Sequence, residues 1–261
     1  MMGEVKGMSD LQSLLFLCPL IFLAGFVDSV AGGGGVISLP AFMFTGMPAH
    51  SAYACNKFSA SCGTTFAAGR YLANRVLDLR VALISAAGSF LGATIASRLV
   101  LMLRESTLKM MLLVILPVAA ALILFKRSYG EEDRSAELSA KKRWLLAAAI
   151  GLGIGMYDGL FGPGTGTFAI MAYTMLMKYD LRTASGNAKL LNLASNYASV
   201  VTFALAGTIL YQIAIPTALC NIAGGYLGSG FAIKKGAKFI RPVMMVVVVL
   251  LLGKMALDFV L

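Results

Sequence analysis

Two stretches of this chain break an apolar run in the same way, and together they limit what it can fold into. The first is Gly25-Phe-Val-Asp-Ser-Val-Ala-Gly-Gly-Gly-Gly-Val-Ile-Ser-Leu-Pro40, and the second is Gly155-Met-Tyr-Asp-Gly-Leu-Phe-Gly-Pro-Gly-Thr-Gly-Thr-Phe168. A shift of 130 positions lays Gly25 on Gly155, Asp28 on Asp158, Gly32 on Gly162 and Gly34 on Gly164. Each glycine costs a helix interior about 1 kcal/mol against alanine, so a cluster of them ends the helix. The surroundings are 59% hydrophobic and 13% charged, with a mean hydropathy of +0.82. Soluble domains carry about 25% charged residues, so the chain reads as an all-α integral membrane protein. At membrane depth, broken backbone survives only where protein buries it or where it lines a polar cavity. Interrupted segments in corresponding halves are how many transport proteins build a midplane site.

Apolar segments fall near 11–27, 35–46, 51–73, 81–103 and 108–125, and the order repeats near 144–157, 166–177, 184–206, 213–233 and 241–261. The second segment of each set is too short to cross the hydrocarbon core at ~1.5 Å per residue, which suits a re-entrant or tilted element. Other landmarks repeat too. Asn56-Lys57 answers Asn187-Ala-Lys189, and Gly88, Leu91, Gly92 and Ala96 answer Gly224, Leu227, Gly228 and Ala232. Glycines four residues apart are expected to be close-packing faces. The chain therefore divides into a first membrane repeat (1–127), a linker (128–143) and a second repeat (144–261). Residues 11–27 read as a retained membrane segment, since neither a basic start nor a small-residue cleavage site accompanies them.

Charge decides the relative direction of the halves. With inverted halves and the N-terminus outside, fifteen Lys and Arg residues face the cytoplasm and five face out, whereas parallel halves give nine and eleven. The positive-inside rule favours inversion with both termini outside. The net charge of +10 then belongs to loop anchoring, and a nucleic-acid partner is not expected. Neither a metal site nor a cofactor is expected. Cys18, Cys55, Cys62 and Cys220 make no Cys-x-x-Cys pair, and His50 is the sole histidine, at a segment boundary. Gly164-Thr-Gly-Thr167 lacks the lysine of a nucleotide-binding loop. With no Ser–His pair or His/Cys/acid cluster inside the spans, an enzyme is not expected either.

Lys57 and Lys189 are the basic residues set well inside apolar segments, and Asp28 and Asp158 are the clearest such acids. Intramembrane charges cost several kcal/mol, so they pair or face a polar cavity. One reading makes them two buried ion pairs fastening the halves. The other makes a site in which Asn56, Lys57, Asn187 and Lys189 attract an anion. Backbone N–H groups would assist there, at Gly32, Gly33, Gly34 and Gly35 and, at the second break, at Gly162 and Gly164, with Pro163 between them as a further lining residue. The glycines open a helix N-terminus, whose free N–H groups and dipole favour anions. Asp28 and Asp158 would then serve coupling or local structure. Asn192, Ser195, Asn196 and Ser199 share a helical face, which suits either a solute path or interhelical hydrogen bonding.

The glycine-rich first motif, followed by Asn56-Lys57 and a degenerate second copy, resembles the sulfite exporter TauE/SafE family of membrane permeases over residues 11–261. The resemblance implies a multi-pass protein of the bacterial plasma (inner) membrane with about eight spans. It further implies a secondary transporter, exporter or permease, moving a small sulfur-containing or organic anion such as sulfite or an organosulfonate. The second copy departs from the pattern at Pro163, which stands where Gly33 does, and at Ala188, which splits Asn187 from Lys189. A passive anion channel and a non-transporting membrane scaffold are the alternative readings. Proton or sodium coupling and assembly as a homo-oligomer stay open.

The charge bias yields a direct test. A single cysteine placed in the 128–143 linker of a cysteine-free variant should resist impermeant thiol reagents in intact cells. Cysteines near either terminus should react. A linker that reacts from outside would overturn the inverted arrangement.

Overall fold

The computed structural model describes residues 9–108, 110–111, 132–240, 242–243 and 246. The fifth apolar segment of each half, 108–125 and 241–261, and linker residues 126–131 lie largely outside them. Among the described residues there are helices and no strands. The helices are α1 (Asp10–Ala31), α2 (Gly35–Phe44), α3 (Ala49–Ala73), α4 (Leu79–Met102), α5 (Ala140–Leu160), α6 (Thr165–Met177), α7 (Leu181–Leu205) and α8 (Tyr211–Lys235), with one 3-10 turn at Ser135–Glu137 before α5. The apolar segments read from the sequence lie on these helices with ends displaced by a few residues.

The ends follow local chemistry. Ser9 caps α1 in a reciprocal box with Gln12. Asp78 and Asp180 cap α4 and α7 by accepting backbone N–H groups of the first turn. The first glycine break ends α1 at Gly32, whose φ of 73° is left-handed, and α2 starts three residues later at Gly35. In the second break Gly164, φ 79°, precedes α6. At about 1.5 Å per residue α2 and α6 reach roughly 15 and 20 Å, against about 37 Å for the 25-residue α3, α7 and α8. By length and composition α1 and α4 can cross a membrane, with mean hydropathy of 2.2 and 1.6.

Helices from the two halves interlock. α1 packs on α8, α4 on α5 and α7, and α3 on α8 and α7. The close pairs are built on small residues. A Cβ added at Gly151, Gly155 or Gly159 of α5 would overlap backbone around Ser85, Ser89 and Ala93 of α4, and one added at Gly224 or Gly228 of α8 would overlap α1 at Phe22 and Phe26. The expected faces at Gly88 and Gly92 do pack closely, against α5.

Two apolar layers result. One gathers Val27, Val30, Tyr71, Val81, Ile150, Tyr173 and Ile233. The other gathers Leu17, Ile21, Phe42, Tyr53, Val100, Phe203 and Ile213. Each long helix that enters both layers runs from one to the other, whereas α6 lies in the first and α2 mostly in the second. Polar contacts tie the outer rims. Beyond the first layer, the Tyr179 hydroxyl donates to Asp78 Oδ2 (2.7 Å), Arg143 Nη1 lies 3.8 Å from that oxygen, and the Asp78 N–H donates to Asn187 Oδ1 (2.9 Å). Burial, and then the Asp78 carboxylate, push the Tyr179 phenol well above its ordinary pKa. The ammonium of Lys178 and then the guanidinium of Arg134 hold Glu137 below the usual carboxylate range. The starts of α4, α5 and α7 thus share one face. On the other face, Glu105 accepts the Ala49 N–H (3.2 Å), His50 Nε2 lies 3.2 Å from the Val100 carbonyl, and the Cys55 thiol lies 3.7 Å from the Leu210 carbonyl.

The two glycine breaks meet between the layers. The Gly166 N–H donates to the Gly32 carbonyl (3.0 Å), and the Thr167 hydroxyl donates to the Ala31 carbonyl (2.7 Å). A Cβ at Gly32 would overlap the Gly166 backbone and sit on a left-handed residue. Gly32→Ala should therefore lower the melting temperature by several degrees. Gly69→Ala, at an exposed α3 position with open space around it, should leave it unchanged or raise it through helix propensity worth up to about 1 kcal/mol. Equal melting of both variants would contradict the close approach of the breaks.

Candidate functional site

Four charged side chains occupy the level between the apolar layers. Lys57 and Lys189 each lie eight residues into a long helix, α3 and α7, and Asp28 and Asp158 lie in the last turns of α1 and α5. Lys57 Nζ is 2.7 Å from Asp158 Oδ2, and Lys189 Nζ is 2.7 Å from Asp28 Oδ2. Each pair joins one half to the other, Asp28 and Asp158 standing 130 positions apart as the two motifs do and Lys57 and Lys189 standing 132 apart. The lysine–aspartate pairing expected by the fastening reading is therefore present. Removal of one partner from such a buried pair costs roughly 3–5 kcal/mol, because the other charge stays desolvated.

The two pairs have unequal surroundings. Asp158 is 2% exposed and accepts hydrogen bonds from the Thr165 and Ser195 hydroxyls besides Lys57. Asp28 has a side chain 20% exposed, and Lys189, which also reaches the Asp28 carbonyl, is its one side-chain partner among the described residues. An ammonium carries three donors. Lys57 directs one to Asp158 and one to Asn196 Oδ1 (3.3 Å), which leaves a third.

A pocket of about 370 Å³, open mouth included, lies against this level. Its charged lining is Asp28, Lys57 and Asp158, and its amides are Asn56, Asn192, Asn196 and Asn221. Gly34, Gly35, Gly162 and Ser38 complete the polar wall, with Ala24 and Ala60 between. Of the residues singled out in the sequence, Gly34, Gly35, Asn56, Lys57, Gly162, Asp28 and Asp158 come together here. Gly32, Gly33, Pro163, Gly164, Asn187 and Lys189 lie outside the lining. Gly32 is used in the contact between breaks, Pro163 accepts from the Tyr157 hydroxyl (2.7 Å), and Asn187 caps the Asp78 N–H. The Gly33 and Gly34 N–H groups donate to no backbone or side-chain acceptor among the described residues, whereas Gly166 spends its N–H on Gly32. The two breaks thus differ in what they offer a ligand. Asn192 and Asn196, read from the sequence as a polar helical face, both reach the pocket, and the Asn196 amide donates to Asn192 Oδ1 (3.1 Å). Ser38 and Asn221 were not foreseen. Each is an isolated polar residue in an apolar segment, with only its burial cost as a signal.

The pairing gives a double-mutant test. Lys57→Met should lower the melting temperature by an amount matching a loss of roughly 3–5 kcal/mol. Asp158→Asn in the same chain should restore most of it, and Asp28→Asn should not. Rescue by Asp28→Asn instead would contradict the pairing.

The chain matches the family model described as "Sulfite exporter TauE/SafE" over residues 17–255. It is 34% identical over 249 residues to a "probable membrane transporter protein" of Haemophilus influenzae, covering 95% of this chain and 96% of that one. It is 31% identical over 259 residues to the "probable membrane transporter protein YfcA" of Escherichia coli K12, covering 96% and 95%. A Sinorhizobium "probable membrane transporter protein ORF9" is 33% identical over 249 residues, covering 94% and 93%. With the match running through both glycine breaks and all four buried charges, the chain belongs to the sulfite exporter TauE/SafE family of membrane transporters.

Proposed function

We propose that the protein is a multi-pass secondary transporter, an exporter or permease of a small sulfur-containing or organic anion such as sulfite or an organosulfonate, in the bacterial inner membrane. The observation that carries this reading is the pocket between the apolar layers. It joins a lysine with an unspent donor, several amides and the glycine-opened N-terminus of α2. An anion there accepts hydrogen bonds from Lys57, Asn56 and the Gly34 backbone, in a setting where each charge-assisted bond is worth about twice a neutral one.

Two inverted repeats form the framework of this reading. It is supported by the reciprocal packing of α1 on α8 and α5 on α4, by the confinement of α2 and α6 to opposite layers, and by the reciprocal ion pairs. Asp28 is the carboxylate that faces the pocket with a single side-chain partner, so it is the candidate for coupling. Its protonation removes a charge that repels the incoming anion, which would draw a proton along with the solute. The reciprocal pairs also support the scaffold reading, in which all four charges serve assembly alone.

Reconstitution separates these readings. Purified protein in liposomes should move sulfite or methanesulfonate, and an imposed proton or sodium gradient should drive accumulation. The Lys57→Met/Asp158→Asn variant, which keeps the fold, should lose the flux. Flux that ignores both gradients would make the protein a channel. Absence of flux, together with absence of binding, would leave the scaffold.

A further inference from the structure

Asn221 stands out once the pocket's hydrogen bonds are accounted for. It lies in the middle of α8, where a carboxamide amid apolar residues loses its hydration and needs a partner. Its residue is 6% exposed, it lines the pocket, and its side chain makes no hydrogen bond among the described residues. The neighbouring helices are shaped around it. A Cβ at Gly25 of α1 would sit 2.7 Å from Asn221 Oδ1, and one at Gly63 of α3 would overlap that same oxygen. Two glycines on two helices thus hold the amide in place, and no side chain or backbone group among the described residues hydrogen-bonds to it. A positioned amide at the wall of a polar pocket, with its hydrogen-bonding groups unspent among the described residues, is placed to complete a ligand held there.

The other pocket amides sharpen the point. Asn196 is engaged at both ends, by Lys57 and by Asn192, and Asn192 gives its oxygen to Asn196. Asn56, 5% exposed, has an Oδ1 without a partner. The unspent groups are therefore those of Asn56, the Asn192 Nδ2, Asn221 and the third Lys57 donor. They come from α3, α7 and α8, so they converge from both halves.

We infer that Asn221 is a further solute-binding residue, whose amide N–H donates to a second oxygen of the same small oxyanion that Lys57 holds. This rests on the anion-binding reading above, and it narrows the solute class to anions with at least two accepting oxygens, such as a sulfite or sulfonate head. A halide offers no separate oxygens for two donors from different helices. Asn221 acts as a specificity element, while Lys57 supplies charge.

The test uses full-length purified protein, with dissociation constants for sulfite, methanesulfonate and chloride measured by calorimetry beside apo melting temperatures. Asn221→Ala removes the amide without adding charge, and Asn221→Asp keeps the shape while replacing the donor by a charged acceptor. Asn221→Ala should weaken sulfite and methanesulfonate by roughly ten- to a hundred-fold, the worth of one hydrogen bond to a charged group, and leave chloride unchanged. Asn221→Asp should weaken both oxyanions further and chloride as well, because its carboxylate repels any anion. Should Asn221→Asp fail to fold, Asn221→Ala alone decides. Wild-type affinity for both oxyanions in folded Asn221→Ala, with affinity lost in Lys57→Met/Asp158→Asn, would overturn this inference and leave the anion site standing. Absence of oxyanion binding by the wild-type protein would overturn both.

Discussion

Four charges sit in the middle of a fold that buries almost nothing else ionised among the described residues, and the cost of leaving any one unpaired governs the arrangement around it. A carboxylate or ammonium held at that depth without a counter-charge would be worth several kcal/mol against the fold. Neither half can meet the requirement with the pairs observed, because Lys57 finds its acid in α5 and Lys189 finds its acid in α1. The halves are thereby bound to each other through their least forgiving groups. The glycine faces of α5 and α8 serve the same end, since they let α4 and α1 approach closely enough for the charged levels to meet.

The glycine breaks are the second consequence. If α1 and α5 continued as helices past Asp28 and Asp158, they would carry backbone through the level where the lysines sit. Ending them there brings two turns into contact through Gly32 and Gly166 and points the start of α2 at the pocket. The copies have then diverged in role. Pro163 has no N–H to offer, Gly166 gives its own to Gly32, and Asp158 is saturated by Lys57, Thr165 and Ser195. The first copy keeps unspent N–H groups at Gly33 and Gly34 and an aspartate with a single side-chain partner among the described residues. Departures in the second motif that look like mere decay in sequence thus coincide with a break whose groups are largely spent on contacts within the protein.

Much of this was legible from the chain. Helix positions followed from apolar runs and glycine breaks because both are local properties. The small-residue faces at Gly88, Gly92, Gly224 and Gly228 were visible through spacing alone. Which lysine meets which aspartate was not visible, because the partners lie far apart along the chain and no periodicity relates them. The equal standing given to Asn187 and Lys189 beside Asn56 and Lys57 came from repeat alignment, which compares sequence and not access. Both residues are fully buried, Lys189 behind Asp28 and Asn187 at the rim contact with Asp78. Asn221 was missed for a different reason. Its importance comes from notches at Gly25 and Gly63 on other helices, and each of those glycines looks like ordinary helix packing when read alone.

The charge balance of the pocket bears on how tightly it can hold a solute. Each lysine is matched by a carboxylate, so an anion entering beside Lys57, as proposed, would meet no net positive charge. It gains directed hydrogen bonds and shares an ammonium with Asp158. A site with an uncompensated lysine would bind an anion more strongly, but it would also retain it, and a carrier must release what it binds on the far side. Conduction and transport alike need affinity high enough for entry and low enough for exit. In the proposed anion site, a paired lysine with one spare donor, flanked by amides that carry no charge, would meet both demands. It also keeps the empty protein neutral at its centre, so that unloading the solute does not leave a buried charge without a partner.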